Sequence, residues 1–165
     1  MQFHKAASGA VAHFTSPPAA MVVTGAKPII CVLEDDEAVR DSLRLMLARN
    51  GYAVRTFDSP NDFLLTKDMD RYTCLVVDFQ LPGMNGLELL ELLRLRAYSK
   101  PAIVIGAGGE PRLTDRMRKA GVSDILRKPI APETLLHAIR SAIDGKSLSS
   151  AQLRTQRPLR LRSYS

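Results

Sequence analysis

No stretch of this chain approaches the ~18–20 consecutive apolar residues that a bilayer-spanning helix needs, so no membrane association through a spanning helix is expected. The amino-terminal stretch carries Lys5 but no continuous apolar core after it, because Ser8, His13, Thr15, Ser16, Pro17 and Pro18 interrupt. No secretory leader is therefore read there, and a cytoplasmic location is expected. Cysteine is scarce. Cys31 and Cys74 are the two present, too few for a disulfide framework. Both lie in short apolar runs and read as small buried filler in a reducing compartment. Acids are missing from both flanks, since all seventeen fall between Glu34 and Asp144. Sixteen bases share the 28–144 segment, leaving it one negative charge. The surplus of bases is Lys5 and Lys27 on one side and Lys146, Arg154, Arg157, Arg160 and Arg162 on the other. A basic balance made this way concerns the flanks and does not by itself argue for nucleic acid.

What is present is a chain long enough for one ordinary domain with its own core. Residues 1–27 are rich in Ala, Ser, Thr and Pro without a helical or alternating period, and read as an unstructured extension. From residue 28, short apolar runs alternate with amphipathic stretches. Strands are expected at 28–33, 52–57, 73–78, 101–105 and 124–127. Helices are expected at 37–50, from Ser59-Pro60 onward, and at 86–97, 110–120 and 132–144. Ser59 is placed as an N-cap with Pro60 in the first turn, and Asn85 as the cap of the third helix. Gly51 and Gly121 close their helices. Val39, Leu43, Met46 and Leu47 are expected inward on the first helix, and Phe63, Leu64 and Leu65 on the second. The third buries Leu87, Leu89, Leu90 and Leu93, and the last Leu135, Leu136, Ile139 and Ile143. Residues 145–165 read as a basic tail. Five strand–helix units in strict alternation, with no internal repeat, give an α/β fold with a parallel sheet covered on both faces. The unit count fits the flavodoxin-like order 2-1-3-4-5.

In that order the first and third strands are neighbours, and their carboxyl ends carry the acids. Asp78 ends the run Cys74-Leu75-Val76-Val77, and a Leu81-Pro82-Gly83 turn follows. Glu34-Asp35-Asp36-Glu37 ends the run of the first strand, and Lys128-Pro129 follows the fifth. Open α/β sheets place their chemistry at this rim. Carboxylates clustered there repel one another unless a divalent cation joins them, and hard oxygen ligands suit Mg²⁺. A lysine opposite can pair with a carboxylate at rest and with phosphoryl oxygens afterward; a cis bond to Pro129 would fix its direction. Together these residues point to metal-assisted phosphoryl transfer. Asp36 and Glu37 read instead as first-turn acids favouring the helix dipole. If Asp35 and Asp78 sit level on adjacent strands, Cys31 and Cys74, each four residues earlier, lie at similar depth, where a redox pair is a minor alternative to filler.

The set Glu34-Asp35-Asp36, Asp78 to Gly86 and Lys128-Pro129 resembles the receiver domain of bacterial two-component response regulators, over residues 28–144. The resemblance implies that Asp78 is the phosphoacceptor, charged by a histidine kinase or phosphotransfer protein, and that Lys128 binds the phosphoryl group. It implies Mg²⁺ held by Asp35, with Glu34 in support, by Asp78 and by the backbone carbonyl of Gln80. Such a protein signals through a downstream protein target, with a homodimer as one form, and is no enzyme in its own right. Receivers usually carry Ser or Thr at the end of the fourth strand and Tyr or Phe on the fifth. Gly106 and Ile125 stand at those positions here, so both partners of the usual switch are missing. Only the backbone N–H of Gly106 is left to help.

Two functions compete on these residues. One is a stand-alone receiver with an atypical activation switch. The other is a phosphate-independent docking module with receiver-like architecture. A phosphatase of the haloacid-dehalogenase type is disfavoured because Gln80 occupies the place of that family's second Asp. Contact of the tail arginines with nucleic-acid phosphates ranks below a solvated tail.

Overall fold

The computed structural model describes residues 25–108 and 110–145. The extension up to residue 24 and the tail from residue 146 lie outside them. Five strands, β1 (Ile29–Leu33), β2 (Ala53–Phe57), β3 (Cys74–Asp78), β4 (Ala102–Ile105) and β5 (Val122–Leu126), alternate with five helices. These are α1 (Glu37–Arg49), α2 (Pro60–Leu65), α3 (Gly86–Leu95), α4 (Pro111–Lys119) and α5 (Pro132–Ile143). The strands pair in parallel in the order β2-β1-β3-β4-β5, the flavodoxin-like arrangement. All five residues of β3 are buried, as a central strand covered on both faces requires.

Each face of the sheet has its own core. Cys31, Leu33, Leu75, Val77 and Val104 pack with Phe63 of α2, Leu87, Leu89, Leu90 and Leu93 of α3, and Met117 of α4. Ile30, Val32, Cys74, Val76, Ile103 and Ile105 face Leu47 of α1 and Leu135, Leu136, Ile139 and Ala142 of α5. The period-two alternation of strand side chains sorts the residues this way. It also removes the redox pair. Ile30 stands opposite Cys74 and Cys31 opposite Leu75, so the two thiols project into opposite cores. Burial pushes both well above the ordinary thiol range, and filler is what remains.

Local signals set the helix starts. Ser59 Oγ accepts from the Asp62 N–H at 3.2 Å, with Pro60 at the first helical position. Asn85 and Glu88 form a reciprocal capping box on α3, which satisfies two amides that the helix itself leaves unpaired. The ends are less faithful to the reading. Helix α3 stops at Leu95 rather than 97, and Ala97 takes a left-handed φ of 61°. Helix α2 ends at its sixth residue and leaves Leu65 79 % exposed, against expectation. Val39, in the first turn of α1 beyond the end of β1, is 38 % exposed rather than core. A 3₁₀ turn at Met69–Arg71, which the sequence did not announce, leads into β3.

Candidate phosphoacceptor and metal site

Parallel pairing of β1 with β3 brings their carboxyl ends to one rim. Leu33 stands opposite Val77, so the next residues, Glu34 and Asp78, are level. Asp35, read as level with Asp78, lies one residue farther out and is exposed. Glu34 and Asp78 are only 2 % and 4 % exposed. Carboxylate oxygens of Glu34, Asp35 and Asp78 nevertheless lie within 4.8 Å of one another.

Each buried carboxylate is tied on more than one side. Asp78 Oδ2 accepts from Lys128 Nζ at 2.7 Å, and Asp78 Oδ1 from the Gln80 N–H at 3.1 Å. Glu34 Oε2 receives Lys128 Nζ at 3.4 Å, and Oε1 the Asp36 N–H at 3.1 Å. Lys128 thus bridges two acids from the end of β5, and the Lys128–Pro129 bond is cis. Burial pushes the Glu34 carboxyl up to about 7; the Asp36 N–H opposes this, and nearby Asp78 adds to it. For Lys128, burial works against the charge, but Asp78 and Glu34 outweigh it and hold the ammonium above its ordinary range. One lysine facing three carboxylates leaves the cluster short of positive charge. Oxygen donors at this spacing fit a hard divalent cation such as Mg²⁺.

The turn after Asp78 is closed by the Gly86 N–H donating to Phe79 O at 2.9 Å. A Cβ on Gly86 would lie 2.5 Å from the carbonyl oxygen of Asp78, so only glycine lets α3 start against this strand. The β4 side of the site is formed by Gly106, at φ +84°. A Cβ there would lie 3.3 Å from Asp78 Oδ1 and 3.6 Å from Cδ and Cε of Lys128. Gly106 therefore stands where the resemblance put it, beside the acid and the lysine. Its N–H, the one donor left to it, is already given to Leu126 O at 2.8 Å. That amide is committed to the sheet, which corrects the expectation that it could serve the site. Ile125 packs against the core shared by α3 and α4.

One residue of the site escaped the sequence reading. Arg40, on α1, donates through Nη1 to the carbonyl oxygens of Glu34 at 2.9 Å and Asp35 at 3.2 Å. An arginine between Val39 and Asp41 in the first helix reads as solvated. Nothing in the sequence signals a backbone target.

Residues 30–140 match the family model described as the response regulator receiver domain. The chain is similar to the transcriptional regulatory protein FixJ of Azorhizobium caulinodans, 37 % identical over 70 % of this chain and 54 % of that protein. It is 33 % identical to the transcriptional regulatory protein TdiR of Thauera aromatica, over 73 % of this chain and 53 % of the relative. Among solved structures it resembles a CheY-like response regulator receiver domain protein from Methanospirillum hungatei JF-1. That likeness has a TM-score of 0.65 and 26 % identity, over 73 % of this chain and 97 % of the other. The chain spans about half the length of the curated relatives it matches. Among the described residues, no helix is long and apolar enough to cross a membrane.

Proposed function

The chain belongs to the response regulator receiver domain family, and from that premise we propose that it accepts a phosphoryl group on Asp78 and signals through protein contacts. The observation that carries this reading is the set of three carboxylates within 4.8 Å of one another, with Lys128 Nζ 2.7 Å from Asp78. In the reaction, an Asp78 carboxylate oxygen attacks phosphorus of a phosphohistidine on a kinase or phosphotransfer protein. The P–N bond breaks and the imidazole leaves. Asp35, Glu34, Asp78 and the Gln80 carbonyl would hold Mg²⁺, which offsets charge on the phosphoryl oxygens. Lys128 exchanges its carboxylate partner for a phosphoryl oxygen, with its charge kept in place by Glu34. Little covalent chemistry is asked of the protein beyond positioning and neutralisation.

The activation step differs from that of a receiver with a hydroxyl on β4. Gly106 offers no side-chain donor, and its N–H is spent on Leu126; Ile125 has no ring to rotate. We propose a cytoplasmic receiver whose response runs through order in the loop after β4 rather than through a Thr–aromatic pair. The same two residues favour the second reading, a docking module that no longer depends on phosphate.

Beryllofluoride, a phosphoryl analogue, separates the two. With Mg²⁺ it is expected to raise the thermal midpoint of the wild type and leave Asp78→Asn unmoved. A wild type that ignores it would favour the docking module.

A further inference from the structure

We propose that Arg40 is a positioning residue for the divalent-cation site, fixing the acidic loop by its backbone without itself occupying any carboxylate oxygen. The inference rests on the reading of Glu34, Asp35 and Asp78 as the metal-binding set. Arginine beside a cluster of acids ordinarily forms bidentate pairs with them, and each such pair would occupy oxygens that a metal needs. Among the described residues Arg40 pairs with no carboxylate. One of its nitrogens, Nη1, instead spends its two hydrogens on adjacent carbonyls, Glu34 O at 2.9 Å and Asp35 O at 3.2 Å.

The inner side of the loop is tied to β2, where the Glu34 N–H donates to Phe57 O at 3.1 Å. Asp36 caps α1 by accepting the Val39 N–H at 3.0 Å, and its carbonyl receives the Arg40 N–H at 2.9 Å. Glu34 is buried and is held by Asp36 and Lys128. Asp35 is exposed, and among the described residues no cation pairs with it. Its orientation toward Asp78 therefore depends on the backbone that Arg40 grips from the second turn of α1. Groups that orient ligands without touching the metal contribute substantially to its affinity.

Two effects of Arg40 on a cation oppose each other, and they predict opposite signs. Its positive charge repels Mg²⁺, so removing the charge alone would tighten binding. Its grip on residues 34 and 35 preorganises the ligands, so removing the grip weakens binding. The repulsion reaches the site through solvent and is screened by salt, whereas lost orienting contacts typically cost about 10–100-fold in affinity. The grip is expected to win.

The test is calorimetric titration of the full chain with Mg²⁺ alone, in wild type, Arg40→Met, Arg40→Gln and Arg40→Lys, with Asp35→Asn as control. Both Arg40→Met and Arg40→Gln are expected to bind Mg²⁺ about tenfold or more weakly. Arg40→Lys, which keeps the charge and a donor, is expected to fall between them and the wild type. If one neutral variant does not fold, the other decides, with a cooperative thermal transition in chelator as the criterion of folding. Unchanged or tighter Mg²⁺ binding in a folded neutral variant would overturn the role of Arg40. A wild type that binds no Mg²⁺, like Asp35→Asn, would instead remove the metal-site reading, and the role of Arg40 with it.

Discussion

Two residues at the site set the sharpest expectations. Gly106 occupies a position where the family's hydroxyl residue cannot simply be reinstalled. At φ +84° an L side chain is strained, and its Cβ would meet Asp78 Oδ1 at 3.3 Å. The left-handed conformation costs roughly 1–2 kcal/mol for an ordinary residue, and more for a β-branched one. Gly106→Thr is therefore expected to lose about 1–2 kcal/mol or more in urea unfolding and to regain no switch. A variant as stable as wild type would mean that the β4 end can adopt the ordinary conformation. Glu34 sets a pH dependence. Its folded-state value of about 7 lies above the ordinary 4.5, so the native state holds the proton more tightly than the unfolded chain does. Its contribution to stability is complete below about 4.5 and is lost as pH rises through about 7. In metal-free buffer with chelator, Glu34→Gln is expected to gain stability relative to wild type between pH 5 and pH 8. A constant difference across that range would contradict the assignment. That Glu34, not Asp35, stands level with Asp78 was not legible in the sequence. Strand ends reveal neighbours, but a one-residue offset in register leaves no mark on composition.

At the scale of elements, strand runs and helix starts were readable because turn residues and caps act locally. Ser59, Asn85 and the prolines at 60, 111 and 132 stand where such residues begin helices. Helix ends and 3₁₀ turns depend on tertiary contacts, and there the reading slipped. Arg94 shows why. On sequence it stands between Leu93 and Leu95 of the third helix, with nothing to mark a backbone target. In the structure its guanidinium donates to the carbonyls of Tyr98, Lys100, Ala120 and Gly121. It joins the end of α3, the entry to β4 and the turn between α4 and β5. Burial, which penalises the charged form, pushes its pKa below the ordinary guanidinium value. Arg94→Met is expected to cost about 2–4 kcal/mol in urea unfolding, since several acceptors lose a charged donor. Arg94→Lys should recover little of it, because an ammonium cannot span four diverging carbonyls. Full recovery by lysine would show that charge, rather than the fork, is what the turn requires.

For the whole molecule, the alternation of five apolar runs with five amphipathic stretches was enough to order the sheet. Parallel strands joined by helices have few unknotted solutions, and right-handed crossovers leave fewer. The site followed from that order, since 2-1-3-4-5 brings the ends of β1 and β3 together whatever the loops do. Two things were not legible. Opposite projection of Cys31 and Cys74 depends on strand register, and the grip of Arg40 depends on backbone carbonyls that carry no residue label. The curated relatives are about twice as long as the span matched here, and the part matched is the receiver.

The central claim is that Asp78 takes a phosphoryl group in a metal-dependent reaction. Its most direct test is the intact mass of the protein after incubation with acetyl phosphate and Mg²⁺, beside Asp78→Asn and a reaction with chelator. The account predicts a gain of one phosphoryl mass in the wild type, absent from the variant and abolished by chelator. An unchanged wild-type mass, or an equal gain in Asp78→Asn, would contradict it.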